Sequence, residues 1–169
     1  MKDRETVDPG PPGPEELKRL ALDLISGQTT MTLATSGEGR AWAAPVYYAL
    51  FESSFAFFSG PESRHVQEAL ESGQASAAIF AQASTWKGIR GLQMSGRVRQ
   101  VRPGLAGARI VAAYLKKFPF TAQFFPPGAP LDLDGFAARF RVRLYLFEPD
   151  RIVYTDNSVK FGFKAEISI

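Results

Sequence analysis

Residues 55–70 read FAFFSGPESRHVQEAL, and this run sets the frame for the whole chain. Phe55 to Phe58 is aromatic and strand-prone, Ser59-Gly60-Pro61 turns the chain, and a helix follows. Val66, Ala69 and Leu70 recur at i, i+3 and i+4, which gives the helix an apolar face, and Gly73 is placed to end it. Ser59 or Ser63 suits the N-cap, and Glu62 completes a Ser-x-x-Glu box with Ser59. Ser63, Arg64 and His65 then fall in the first turn, among unpaired N–H groups at the positive end of a helix dipole. A phosphate suits that setting: Arg64 offers a bidentate fork, Ser63 a hydroxyl, and His65 a donor when protonated. A capped surface helix with one solvated Arg explains the same pattern, and Glu62 opposes an anion unless it turns away.

On the N-terminal side, residues 1–14 are charged and then rich in Pro and Gly, and read as a flexible arm before one domain over 15–169. Pro14 opens a helix with Leu17, Leu20, Ala21 and Leu24 on one face and Gly27 at its end. Thr29 to Thr35 reads as a strand, Ser36-Gly37-Glu38-Gly39 as a hairpin turn, and Arg40 to Leu50 as the return strand. Pro45 cannot donate a ladder hydrogen bond, so that strand needs a free edge or a bulge. The small residues Ala41, Ala43 and Ala44 beside Pro45 allow a planar ligand to approach the backbone; an edge strand with small side chains reads the same way.

On the C-terminal side, Ala75 to Ala83 and Trp86 to Val101 read as strands, the second with Leu92, Met94 and Val98 on one face. Gly91 and Gly96 mark bends or bulges of the kind barrel corners require. Residues 103–117 read as helical, with Ala112 and Leu115 inward. Phe140 to Phe147 reads as a strand, Glu148-Pro149-Asp150 as a turn, and Arg151 to Tyr154 as the partner strand. Six to seven antiparallel strands with a helix after the third predict a mainly β fold, a small β-barrel with α decoration.

Composition narrows the function. The chain has 169 residues, one His and no Cys, which argues against zinc or haem-thiolate chemistry and points to a reducing, cytoplasmic setting. Twenty basic against 17 acidic residues leave a net charge of +3, too small and too scattered for a nucleic-acid footprint. No apolar run reaches membrane-spanning length.

The order of strands, then FAFFS, ESRHVQEAL and IRGLQMSG, resembles the flavin-binding split barrels of the pyridoxamine 5'-phosphate oxidase-like group. The tail, Tyr154-Thr155-Asp156-Asn157 followed by Phe161-Gly162, resembles a poorly characterised bacterial branch of it. The resemblance implies FMN bound at a homodimer interface. It places Phe58 and Ser59 against the flavin and its phosphate, Ser63, Arg64 and His65 on the phosphate, and Ala43, Ala44, Pro45, Val46 and Tyr48 along the isoalloxazine. Arg90 would be a second phosphate contact. Asp156 and Asn157 would meet a ring edge or substrate, although turns favour Asx residues in any case. The departures are Ala43 and Tyr48 where pyridoxamine phosphate oxidases carry Arg and Lys, His65 in place of Lys, and Gly91 in place of Gln. The resemblance therefore implies an FMN-dependent oxidoreductase of a different small molecule. The alternatives are flavin or haem binding without turnover, use of the deazaflavin F420, and a cofactor-free interaction barrel.

Overall fold

The computed structural model describes residues 10–128 and 132–169. The first nine residues of the arm read over 1–14 lie outside them. Helix α1 (Pro14–Gly27) starts on a proline with Glu15 and Glu16 in its first turn and buries Leu17, Ala21, Leu24 and Ile25. The proline fixes φ where no intrahelical donor is needed, and the carboxylates face the positive dipole end.

Eight strands among the described residues form one antiparallel sheet: β1 (Thr30–Gly37), β2 (Arg40–Tyr47), β3 (Ala49–Phe51), β4 (Ser54–Ser59), β5 (Ala75–Phe80), β6 (Arg90–Gln100), β7 (Arg143–Asp156) and β8 (Lys164–Ile167). Their order is β2-β1-β5-β6-β7-β4-β3, with β8 also on β7. The sheet curls into a half-barrel, because its two end strands, β2 and β3, are joined by the single residue Tyr48. The strand read over 40–50 thus breaks at Tyr48. Pro45 lies on the edge strand β2 opposite Thr32, as its missing donor requires. Glu38 and Gly39 both take positive φ in the two-residue turn between β1 and β2, the twist a tight hairpin needs.

The interior holds Met31, Leu33, Phe55, Phe57, Ile79, Leu92, Met94, Phe147 and Tyr154, with α1 and helix α2 (Arg64–Ser72) packed against it. Helices α3 (Leu105–Lys117) and α4 (Leu133–Phe140) cover the outer face of β4 and β7, burying Ala56, Ile110, Val111, Phe136, Leu144 and Leu146. Strand β4 is covered on both faces, which is why Phe55 to Phe58 is a continuous apolar run without alternation.

Several expectations are corrected. The segment Glu148-Pro149-Asp150 does not turn back; β7 runs through it along β6, with a register shift at Ser95/Gly96. Gly96 is there because a Cβ would press on the Glu148 carbonyl. Trp86–Gly88 is a short 3-10 turn and not the start of β6, and α4 occupies the residues just before β7. In α3 the inward residues are Gly107, Ile110, Val111 and Tyr114, while Ala112 faces out. Leu70 of α2 is likewise exposed.

Candidate functional site

Strand β4 ends at Ser59, whose side chain points inward, and Gly60, Pro61 and Glu62 carry the chain into α2. Ser63 is the N-cap, but no side-chain cap bond forms, and Glu62 accepts from Gln67 at 3.1 Å instead of closing a box with Ser59. The hydroxyls are thereby left for each other. Ser59 Oγ lies 3.3 Å from Ser63 Oγ and 2.9 Å from His65 Nε2. Among the described residues no acceptor takes the N–H of Arg64 or His65. Two hydroxyls, an imidazole and two amide donors thus converge at the N-terminus of a nine-residue helix. Burial pushes the His65 imidazolium towards deprotonation, against the pull of Glu68, so the ring is neutral at pH 7.

Arg64 lies beside this cluster. Its Nε donates to Glu68 Oε1 at 2.6 Å, and its guanidinium sits 4.8 Å from the centre of the Trp42 ring on β2. The other Glu68 oxygen accepts from Thr35 Oγ1 of β1 at 2.6 Å. Gly37 makes room for that carboxylate, since a Cβ there would strike the Glu68 side chain. The Thr35 and Arg64 hydrogen bonds hold the Glu68 carboxyl below the usual carboxylate range. Sequence reasoning missed Glu68, Thr35 and Trp42. The i, i+4 spacing of Arg64 and Glu68 was the available signal for the first.

On β2, Ala43 and Pro45 face outward, whereas Ala44 and Val46 face the interior. Tyr48 is also interior: it has no exposed surface, and its hydroxyl donates to the Ile25 carbonyl at 2.7 Å. It does not share a face with Ala43, so the pair expected to flank a ring is not brought together. Phe58, one residue before Ser59, points to the opposite side of β4. Its ring stacks on Phe136 with centroids 4.5 Å apart and meets Tyr114 edge-on. Strand parity thus separates Phe58 from the cluster its neighbour joins.

Arg90, at the start of β6, is paired in the ladder with Asp156 at the end of β7. The Asp156 carboxylate accepts from the Tyr154 hydroxyl at 2.8 Å and from the Ser158 amide and hydroxyl at 2.8 and 2.6 Å. Burial opposes its ionisation, but the Ser158 and Tyr154 hydrogen bonds outweigh that and keep it below the usual carboxylate range. Asn157 donates from Nδ2 to the Trp86 carbonyl at 2.9 Å, and its Oδ1 accepts from the Gly162 amide at 3.0 Å. Both side chains are satisfied by the turn and by the 86–89 loop they pin. Asn157→Ala is expected to lower stability by about 1 to 2 kcal/mol, two ordinary hydrogen bonds, and to leave ligand titrations at α2 unchanged. Urea denaturation and a binding titration on the same variant check both halves.

The model of a family described as pyridoxamine 5'-phosphate oxidase matches residues 17–146. A UPF0306 protein of Klebsiella pneumoniae is 28% identical over 142 residues, 83% of this chain and 85% of its own. Among solved structures, a heme binding protein from Mycobacterium smegmatis superposes with a TM-score of 0.67 at 18% identity, covering 94% of this chain and 59% of that one. A FAD-binding protein from Mesorhizobium loti gives a TM-score of 0.57 at 16% identity, covering 79% and 90%. At these identities the structural likeness is one of fold, the split β-barrel.

Proposed function

The chain belongs to the pyridoxamine 5'-phosphate oxidase family, and on that premise we propose that it binds FMN with the phosphate at the start of α2 and acts as a flavin-dependent oxidoreductase on an uncharged small molecule. The observation that carries this reading is the convergence of Ser59, Ser63 and His65 with the Arg64 and His65 amides. That donor set fits a phosphate monoester: hydroxyls and amides supply directed hydrogen bonds, and the Arg64 nitrogens not used by Glu68 supply charge. When bound, FMN would supply hydride or electron transfer; the protein would bind, orient and tune it. The outward faces of Ala43 and Pro45 leave β2 smooth enough for a flat ring to lie along it. Pyridoxamine phosphate itself is disfavoured, because Ala43 carries no charge and Tyr48 is withdrawn into the core.

The same reading makes the protein a cytoplasmic homodimer with a cofactor at the interface. The edge strand β2 and the neighbouring exposed rings of Tyr47, Phe120 and Phe124 are the surface that a second copy would cover. Light scattering should then give twice the chain mass, and a monomer that still binds flavin would remove the interface from the proposal.

Haem is the second reading, favoured by the haem-binding protein of the same fold. His65 is the chain's one His, and its Nε2 is held by Ser59, so an axial histidine would have to break that hydrogen bond. The purified protein decides between the two. We expect flavin bands and FMN bound at least about tenfold more tightly than riboflavin, a difference of about 1.4 kcal/mol for the phosphate. A Soret band without flavin bands would select haem, and equal affinity for FMN and riboflavin would displace the phosphate from α2.

A further inference from the structure

Lys117, the last residue of α3, has its ammonium drawn inward, against residues that are not among those gathered at α2. Nζ donates to the Ile25 carbonyl at 3.1 Å and lies 3.7 Å from the centre of the Tyr48 ring. Among the described residues no carboxylate pairs with it. It stands on a cleft of about 430 Å³ whose walls are mostly apolar: Leu22 and Ile25 of α1, Ala49 and Leu50 of β3, and Ala113 of α3. The charged group sharing that cleft is Asp23, and its carboxylate is bonded to Arg19 at 3.1 Å. The Tyr48 face favours the charged form, but loss of hydration outweighs it and brings the Lys117 ammonium down to about 8. The Ile25 carbonyl takes one N–H, so the neutral amine keeps its lone pair for another partner. A desolvated amine on an apolar cleft is the setting in which lysine becomes a nucleophile.

We propose that Lys117 captures small apolar aldehydes as imines in the cleft between α1, β3 and α3. The Nζ lone pair attacks the carbonyl carbon, forming the C–N bond and moving the C=O π pair onto oxygen. Nitrogen gives up both of its protons to that oxygen, which leaves as water, and C=N replaces C=O. No oxidant or reductant is consumed. The apolar walls select an alkyl chain, and among the described residues lining the cleft no second cation gives purchase to a carboxylate-bearing aldehyde.

The test treats the folded protein at pH 7 with limiting hexanal and cyanoborohydride, which fixes the imine as a secondary amine, and maps the hexyl group by peptide mass spectrometry. At pH 7 an amine of pKa about 8 is about one-tenth neutral, against about one part in 2,500 for an ordinary lysine. Allowing for the weaker nucleophilicity of a less basic amine, Lys117 should be labelled at least about tenfold faster than its exposed neighbour Lys116. That preference should be clearly smaller with glyoxylate, whose carboxylate the apolar walls disfavour, and Ala113→Trp, which fills the cleft, should slow Lys117 alone. Labelling of Lys117 no faster than Lys116 would overturn the proposal, as would an equal preference with hexanal and glyoxylate. The glyoxylate comparison is made on the unaltered chain and stands even if Ala113→Trp fails to fold.

Discussion

Tyr48→Lys is expected to cost about 3 to 5 kcal/mol, the scale of emptying an aromatic site in a core, and so to remove much of the stability a domain of this size has. The Tyr48 ring is fully buried and meets Phe55 edge-on at 5.6 Å. It joins β2 to β3, and its hydroxyl ties that junction to the end of α1 through Ile25. A lysine there would lose the ring and the hydroxyl bond and would bring a second ammonium beside Lys117, where the one carboxylate among the described cleft residues, Asp23, is already bonded to Arg19. Tyr48→Phe removes only the hydroxyl and should cost about 1 kcal/mol, because Lys117 still donates to the Ile25 carbonyl. Urea denaturation of the two variants separates the cases. A stable, cooperative Tyr48→Lys protein would mean that residue 48 faces the ligand side of β2 after all.

This residue also shows where the sequence stops being legible. The strand-turn-helix of residues 55–70 was readable because each local signal agreed: an aromatic run, a Gly-Pro turn, an apolar helical face and a glycine at the left-handed C-cap, φ 69° at Gly73. The hairpin at Glu38-Gly39 was readable for the same reason. Residue 48 was not, because the residues from Arg40 to Leu50 carry no mark of a break, and one residue of uncertainty in a strand exchanges its two faces. Pro149 hid the continuity of β7: proline punctuates a sequence, but at a bulge it sits inside a strand. The core of the candidate site, Ser59, Ser63, Arg64 and His65, was legible because it is local in the chain. Thr35, Gly37 and Trp42 come from the β1–β2 hairpin, and their meeting with α2 is a fact of tertiary packing that no spacing encodes.

That packing sets the second large effect. Arg64→Ala should weaken FMN binding by about 1.5 to 3 kcal/mol, the range for hydrogen bonds to a charged partner, and should abolish most of the preference for FMN over riboflavin. The guanidinium is poised but engaged: Glu68 takes its Nε, Trp42 lies under its plane, and Thr35 and Gly37 hold the carboxylate in place. Glu68 both orients Arg64 and cancels its charge. With His65 neutral, the site offers a phosphate directed donors but little net positive charge. Glu68→Gln keeps an acceptor for Arg64 while removing the negative charge, so it should tighten FMN binding modestly, as expected of a solvent-screened pair. The gain should shrink as salt is raised, because screening reaches that carboxylate. In the double variant Arg64→Ala/Glu68→Gln the benefit of removing the carboxylate should be smaller than in wild type, since there is no longer a guanidinium to release. Calorimetric titration of the four proteins with FMN and with riboflavin measures each quantity. If Arg64→Ala leaves the FMN preference intact, the phosphate is not held at α2. If Glu68→Gln weakens binding, the carboxylate's part is to position Arg64 and not to restrain it.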